Sequence, residues 1–175
     1  MKKIFLLLAM AGGALFTGCT IDDEADVIEN NYVFEAEAFE ISNVDFVANA
    51  NGNYAEVLYD FGDSPLIESD VVLVYRLSDA STNTTDVWEL IPRTIYLEGT
   101  DELDYDFNFT RNDLLLYMDA TFALADAPAY TQNQVFRVVI IPAFDNSARM
   151  NVTDYKSVIE RYNIDDSNLK TLSVK

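Results

Sequence analysis

Histidine is absent from the chain, and cysteine occurs only once, at position 19. Those two shortages remove whole classes of chemistry. A hydrolytic triad of the common kind needs a histidine base, a structural zinc site needs several His and Cys ligands, and a cysteine nucleophile needs a basic partner beside it. A single thiol also excludes an internal disulfide, whatever the redox state of the compartment. Basic residues are scarce as well: 11 Lys and Arg stand against 30 Asp and Glu, a formal net charge of −19. A surface of that sign repels nucleic acid and anionic lipid, so no nucleic-acid partner is expected. Cations, sugars and basic protein patches stay compatible with it, and the charge also keeps copies soluble and apart. No apolar run reaches the roughly 20 residues that a permanent membrane-crossing helix requires.

What is present suffices for a core. Half of the 175 residues are hydrophobic and 13% are aromatic. A chain of this size buries roughly two thirds of its unfolded surface on folding, without help from metals or disulfides. The expectation is a single domain over residues 32–175, with no internal repeat, no cofactor and no metal.

The N-terminus runs basic, apolar, small: Met1-Lys2-Lys3, an apolar stretch over residues 4–11, then Gly12-Gly13-Ala14. That order marks an export signal. The next residues, Leu15-Phe16-Thr17-Gly18-Cys19, resemble a bacterial lipobox, in which small residues before the Cys let a dedicated peptidase cut and leave a diacylated thiol. Phe16 stands where that motif usually has Leu, and both are large and apolar. The resemblance implies that residues 1–18 are a lipoprotein signal peptide and that Cys19 is the lipid attachment point. Each buried acyl methylene contributes about 0.8 kcal/mol, so several chains, palmitate among them, hold a protein on a membrane far more firmly than one.

Residues 19–31 read as an acidic tether, with Asp22, Asp23, Glu24 and Asp26 following the thiol closely. The stretch is similar to the acidic export signal of surface lipoproteins of Bacteroidota, although the flanking Lys or Ser often seen there is missing. A plain solvated linker on the periplasmic face is the other reading. Further on, Asp70-Val71-Val72-Leu73-Val74-Tyr75, Trp88-Glu89-Leu90-Ile91-Pro92 and Gln134-Val135-Phe136-Arg137-Val138-Val139 also resemble small lipoproteins of that group. The likeness implies an outer-membrane, surface-exposed location and a β-rich body. It brings no activity with it and no site beyond Cys19.

From Asn31 onward the apolar pattern has mostly period two, punctuated by Asn, Asp, Gly and Ser. A first strand is expected over residues 32–41. Val44, Phe46 and Ala48 alternate, as do Ala55, Val57, Tyr59 and Phe61, and the intervening Asn51-Gly52 suits a tight turn, so a hairpin is predicted. Residues 70–77 and 135–141 are apolar on both faces, as befits strands covered on each side. Pro92 interrupts a strand that begins at Val87, marking a bend, bulge or edge, with residues 94–97 continuing it. Leu103, Tyr105, Phe107 and Phe109 fall on a core face, and Asp104, Asp106, Asn108 and Thr110 on a wet one. Arg111-Asn112-Asp113 turns the chain; further strands are expected over 114–118 and 121–124, and then a loop over 125–133.

Near the end the period becomes 3.6: Tyr155, Val158, Ile159 and Tyr162 line one side of a helix over 154–162, with Thr153 placed to cap it and the sheet's end as its packing site. The tail either adds a strand through Leu169, Leu172 and Val174 or frays. These elements suggest an all-β, two-sheet β-sandwich, immunoglobulin-like or jelly-roll-like, with one short C-terminal helix; a half-open barrel is the main rival.

Few residues stand out chemically. Asp104, Asp106 and Asn108 share a strand face about 7 Å apart at each step, but calcium needs six to eight converging oxygens, which a straight strand spreads apart. Asp60, Asp63, Asp104 and Asp106 are candidates for a two-carboxylate glycosidase, with nothing in the sequence to set their separation. Tyr54, Tyr117 and Tyr130 sit at strand ends or in loops where aromatics can stack on sugars or peptides, whereas Trp88 reads as core. Tyr130 and Gln132, beside Pro128, make the 125–133 loop the preferred contact surface, with Asp104 and Asp106 as further ligand-contact candidates. The expected function is a non-enzymatic envelope lipoprotein that binds a glycan, peptide or partner protein. A structural or assembly subunit of fimbrial type is the second reading and a carboxylate-based hydrolase the third.

Overall fold

The computed structural model describes residues 35–63, 65–78, 86–142 and 150–172. The signal, Cys19 and the acidic tether therefore lie outside the described residues. Within them the protein is a two-sheet β-sandwich. The first sheet has the order β4-β3-β8-β1-β9 and the second β2-β7-β6-β5. In chain order the strands are β1 (Glu37–Val44), β2 (Tyr54–Asp60), β3 (Val71–Ser78), β4 (Val87–Ile91), β5 (Arg93–Tyr96), β6 (Glu102–Phe109), β7 (Asp113–Ala120), β8 (Gln134–Ile141) and β9 (Lys170–Leu172). Two separate sheets replace the half-open barrel.

Alternation places the core. Phe39, Ile41, Val72, Val74, Phe136 and Val138 point inward from the first sheet and meet Ala55, Leu103, Tyr105, Leu114, Leu116 and Met118 from the second. The double-sided character of β3 and β8 has its cause in a third layer. Leu73, Tyr75, Val139 and Ile141 point to the opposite side, where α2 (Tyr155–Tyr162) covers them with Tyr155, Val158 and Ile159. Each such side chain contributes about 1.5–3 kcal/mol on burial, so an eight-residue helix, too short to persist alone, is held by packing. It lies on the outer face of the sheet, not at its end as expected, because that face is the apolar surface left uncovered by the sandwich. Its N-cap is Asp154. Thr153 instead donates its hydroxyl to Asn151 Oδ1 at 2.7 Å.

Three other expectations are corrected. Asn51-Gly52 does reverse the chain, with Gly52 at φ +83°, but only one bridge, Ala48 to Ala55, closes across the turn. No hairpin forms, since β1 stays in the first sheet while β2 pairs along its length with β7 in the second. Turn chemistry specifies the reversal; which ladder each arm joins is set by the long-range partner. Likewise β5 does not continue β4. The chain changes sheets at Pro92, after a cis Ile91–Pro92 bond, so Pro92 separates the edge strand of one sheet from the edge strand of the other. Proline has no N–H to give a ladder and is tolerated at such edges. Residues 121–124 form no strand, and Leu124–Asp126 is a 3-10 turn followed by the short helix α1 (Pro128–Thr131) inside the expected loop.

Among the described residues the first strand begins at Glu37, and residues 32–34 of the expected strand lie outside them. The tail adds β9, parallel to β1. Among the described residues no helix is long and apolar enough to cross a membrane.

Candidate functional site

With α2 and the C-terminal segment over the outside of the first sheet, the outside of the second is the broad strand surface left open. Its residues are set by register. Tyr54 lies opposite Asp119, Glu56 opposite Tyr117, and Leu58 opposite Leu115 across the β2–β7 pair. On the other side of β7, Asp104 lies opposite Asp119 and Asp106 opposite Tyr117, and Thr94 of β5 completes the row beside Asp104. A shallow groove of about 320 Å³ runs between Arg93, Thr94, Asp104, Asp106, Tyr117 and Asp119. That size is at the lower end of the roughly 300–1,000 Å³ of small-ligand sites.

The polar groups of this face are ordered by one another. The Tyr117 hydroxyl donates to Asp106 Oδ2 at 2.8 Å, and Tyr54 donates to Glu56 Oε2 at 2.8 Å. The two phenol rings lie 6.2 Å apart. The bond to Glu56, then burial, pushes the Tyr54 phenol up to about 12, and the bond to Asp106 raises Tyr117, so both stay neutral donors at ordinary pH. The Thr94 hydroxyl donates to Asp104 Oδ1. Asp106 has a second duty: its Oδ1 accepts the N–H of Phe107 at 2.7 Å. β5 pairs with β6 only as far as Tyr105, so this carboxylate caps a backbone donor on the uncovered half of the strand.

Asp104 and Asp119, directly opposite, are like charges on neighbouring strands, an arrangement that costs about 0.2–1 kcal/mol. Arg93, the cation of the groove, is paired with Glu89 at 3.0 Å. The face therefore offers carboxylate acceptors and phenol and hydroxyl groups on rigid strands.

The residues singled out from sequence separate into four places. Asp104 and Asp106 fall in the groove. Asp60 pairs with Asp113 at the far end of β2, six residues and about 20 Å along β7 from Asp119, and its Oδ1 accepts from Gly62 N at 2.7 Å, so Asp60 does not join Asp104 and Asp106 in the groove. Among the described residues no three His, Cys, Asp or Glu side chains gather closely enough for a metal. Tyr130 and Gln132 lie apart from the groove. Tyr130 packs against the inter-sheet core, its ring 5.8 Å from the guanidinium of Arg76, while its carbonyl accepts the Tyr105 hydroxyl. Gln132 is exposed. Trp88 packs beneath Arg137, 4.1 Å from its guanidinium carbon, in the layer under α2.

Sequence reading passed over Thr94 and Asp119 in the groove. It also passed over Arg76 and Gln134, which are buried and bonded to each other at 2.9 Å. The alternation of β7 contained a signal for Asp119, since it falls in step with Tyr117 on the wet side. Nothing local signalled that it would face Asp104.

No family model, no curated protein and no solved structure matches the chain. The architecture defines its class, a two-sheet β-sandwich with a helix-covered back, and the open face defines its candidate surface.

Proposed function

We propose that this protein is a lipid-anchored envelope lipoprotein whose sandwich acts as a non-enzymatic binding module, using the outer face of β2, β7, β6 and β5 to hold a glycan, peptide or partner protein. The observation that carries the reading is the contrast between two sheets of one molecule. One outer face is sealed by α2 over an apolar layer, and the other carries the groove of Thr94, Asp104, Asp106, Tyr117 and Asp119. Groups held on strands keep their positions, and convergent polar groups around a concavity are the ordinary make-up of a recognition surface. The acidic face suits hydroxyl-bearing or cationic ligands and repels anionic ones.

The anchor rests on the lipobox-like residues that end at Cys19. It places the module at the outer membrane, on the cell surface, with the acidic tether as spacer. An assembly role based on exchanging the C-terminal strand finds less support, because β9 completes its own sheet against β1.

Carboxylate footprinting tests the site without knowledge of the ligand. In the native envelope, carbodiimide labelling of Asp104, Asp119 and Glu56 is expected to fall relative to the purified protein, while Glu160 on the exposed side of α2 labels equally in both. Equal labelling of all four would sink the reading. Mass spectrometry of the protein from its native host should find acyl chains on Cys19; an unmodified thiol there overturns the anchor.

A further inference from the structure

The turn between β1 and β2 contains a reactive dipeptide, and its geometry holds that dipeptide shut. Asn followed by Gly is the pair most open to intramolecular attack, because Gly presents no side chain beside the attacking nitrogen. Here Asn51 is exposed to water. The nitrogen that would attack is engaged three residues back: Gly52 N–H donates to the backbone oxygen of Asn49 at 2.9 Å and to Asn49 Oδ1 at 3.0 Å. Asn49 Oδ1 also takes the N–H of Asn51 at 3.1 Å. The far side of the turn is clamped too, with Gly52 O accepting from Leu124 N at 2.8 Å and Asn53 O accepting from Ala120 N at 2.9 Å.

We propose that Asn51 is a latent self-modification site and that the Asn49 side chain is the residue that keeps it closed. In the reaction, Gly52 N loses its proton to solvent base and bonds to Cγ of Asn51. The bond from Cγ to Nδ2 breaks, and ammonia leaves with the proton it needs. Water then opens the five-membered imide at either carbonyl, giving aspartate or isoaspartate. No oxidant, metal or second protein takes part. The isoaspartate product lengthens the main chain by one carbon at the single connection between β1 and β2 and adds a negative charge to a chain already at −19. An N–H held in two hydrogen bonds is deprotonated only through local opening, so the folded rate equals the open-chain rate scaled by the open fraction.

The full-length chain is incubated in mildly alkaline buffer, below its unfolding transition. Isoaspartate at Asn51 is then followed by peptide mapping and by an isoaspartyl methyltransferase assay. The native protein should modify slowly and the same chain in urea quickly. Asn49→Ala leaves the backbone acceptor in place and removes Oδ1, so it should accelerate the native rate about five-fold, the factor that one hydrogen bond of about 1 kcal/mol represents. Asn49→Asp keeps an oxygen at that position and should retain the slow rate, which separates the acceptor from any general loosening of the turn. Equal rates in native protein and Asn49→Ala overturn the proposal, as does acceleration by Asn49→Asp to the same degree. A native rate matching that in urea overturns it equally.

Discussion

Replacing Arg137 with Met tests how the third layer is fastened to the sandwich. The guanidinium lies on the outer face of β8 with its side chain 13% exposed, bonded through Nε to Glu40 at 3.3 Å and through Nη1 to Asp166 at 3.0 Å. Nη1 also donates to the Tyr155 hydroxyl at 2.7 Å, and the carbon of the group sits 4.1 Å from the Trp88 ring. One side chain thus joins β8 to β1, to α2, to the turn after α2 and to β4. Breaking a fully buried ionic network by removing one partner costs about 3–5 kcal/mol. The carboxylates here are 23% and 37% exposed and can regain water, which lowers the figure. Loss of the stacking on Trp88 adds about 0.5–1 kcal/mol, and Met recovers part of the apolar contact. A net loss of about 2–4 kcal/mol follows, a large share of the roughly 5–15 kcal/mol available to a domain. In thermal unfolding this is a fall of roughly 6–15 °C. Trp88 is the sole tryptophan, so its fluorescence reports the same contact directly. A double-mutant cycle with Asp166→Asn should show coupling of about 0.5–3 kcal/mol. Arg137→Met with a stability loss below about 0.5 kcal/mol and an unchanged Trp88 spectrum would refute the assignment of the fastening to this residue.

Three further outcomes are expected. Burial raises the phenols of Tyr75, Tyr105 and Tyr155 above their ordinary value of 10.0; the unfolded chain binds fewer protons once pH passes 10.0, so their contribution is complete below that value and is lost as pH rises through the folded ones. Urea midpoints should therefore fall above about pH 10, and tyrosinate absorbance at that pH in a still-folded protein, with all ten phenols titrating normally, would contradict it. Asp119→Asn should raise stability by about 0.2–1 kcal/mol in low salt by removing the charge opposite Asp104, and the gain should shrink as salt screens the pair; calorimetry at two ionic strengths decides. Ile159→Ala should cost about 2–4 kcal/mol and loosen α2, seen as earlier hydrogen exchange at Leu73 and Val139 than at Val138, whose side chain faces the inter-sheet core; uniform loss of protection would contradict a separately attached layer.

Where the strand signals were local, the sequence was legible. The alternation of Leu103, Tyr105 and Phe107 against Asp104 and Asp106 describes most of β6, although Phe109, expected on the core face, is 44% exposed, and the run from Val71 to Tyr75 announces a strand covered on both sides. The spacing of Tyr155, Val158, Ile159 and Tyr162 places α2. The errors fell where a local signal has two physical outcomes. An Asn-Gly turn reverses the chain whether or not its arms pair, and a proline at a strand end suits equally a bulge and a change of sheet. The groove was half legible for the same reason. Asp104 and Asp106 could be placed on a wet strand face, but Thr94 and Asp119 joined them only through pairings between separate strands.

The sequence by itself determined which segments extend, which faces turn from water and which chemistries a chain without histidine and with one thiol must forgo. Those properties depend on neighbours one to four residues apart. The tertiary structure alone decided that Asp104 faces Asp119, that Glu40, Arg137 and Asp166 meet, and that one outer face is covered while the other stays open. Such contacts are set by register and strand order, which minimise the exposed apolar area of the whole molecule, a sum to which no short window of residues has access.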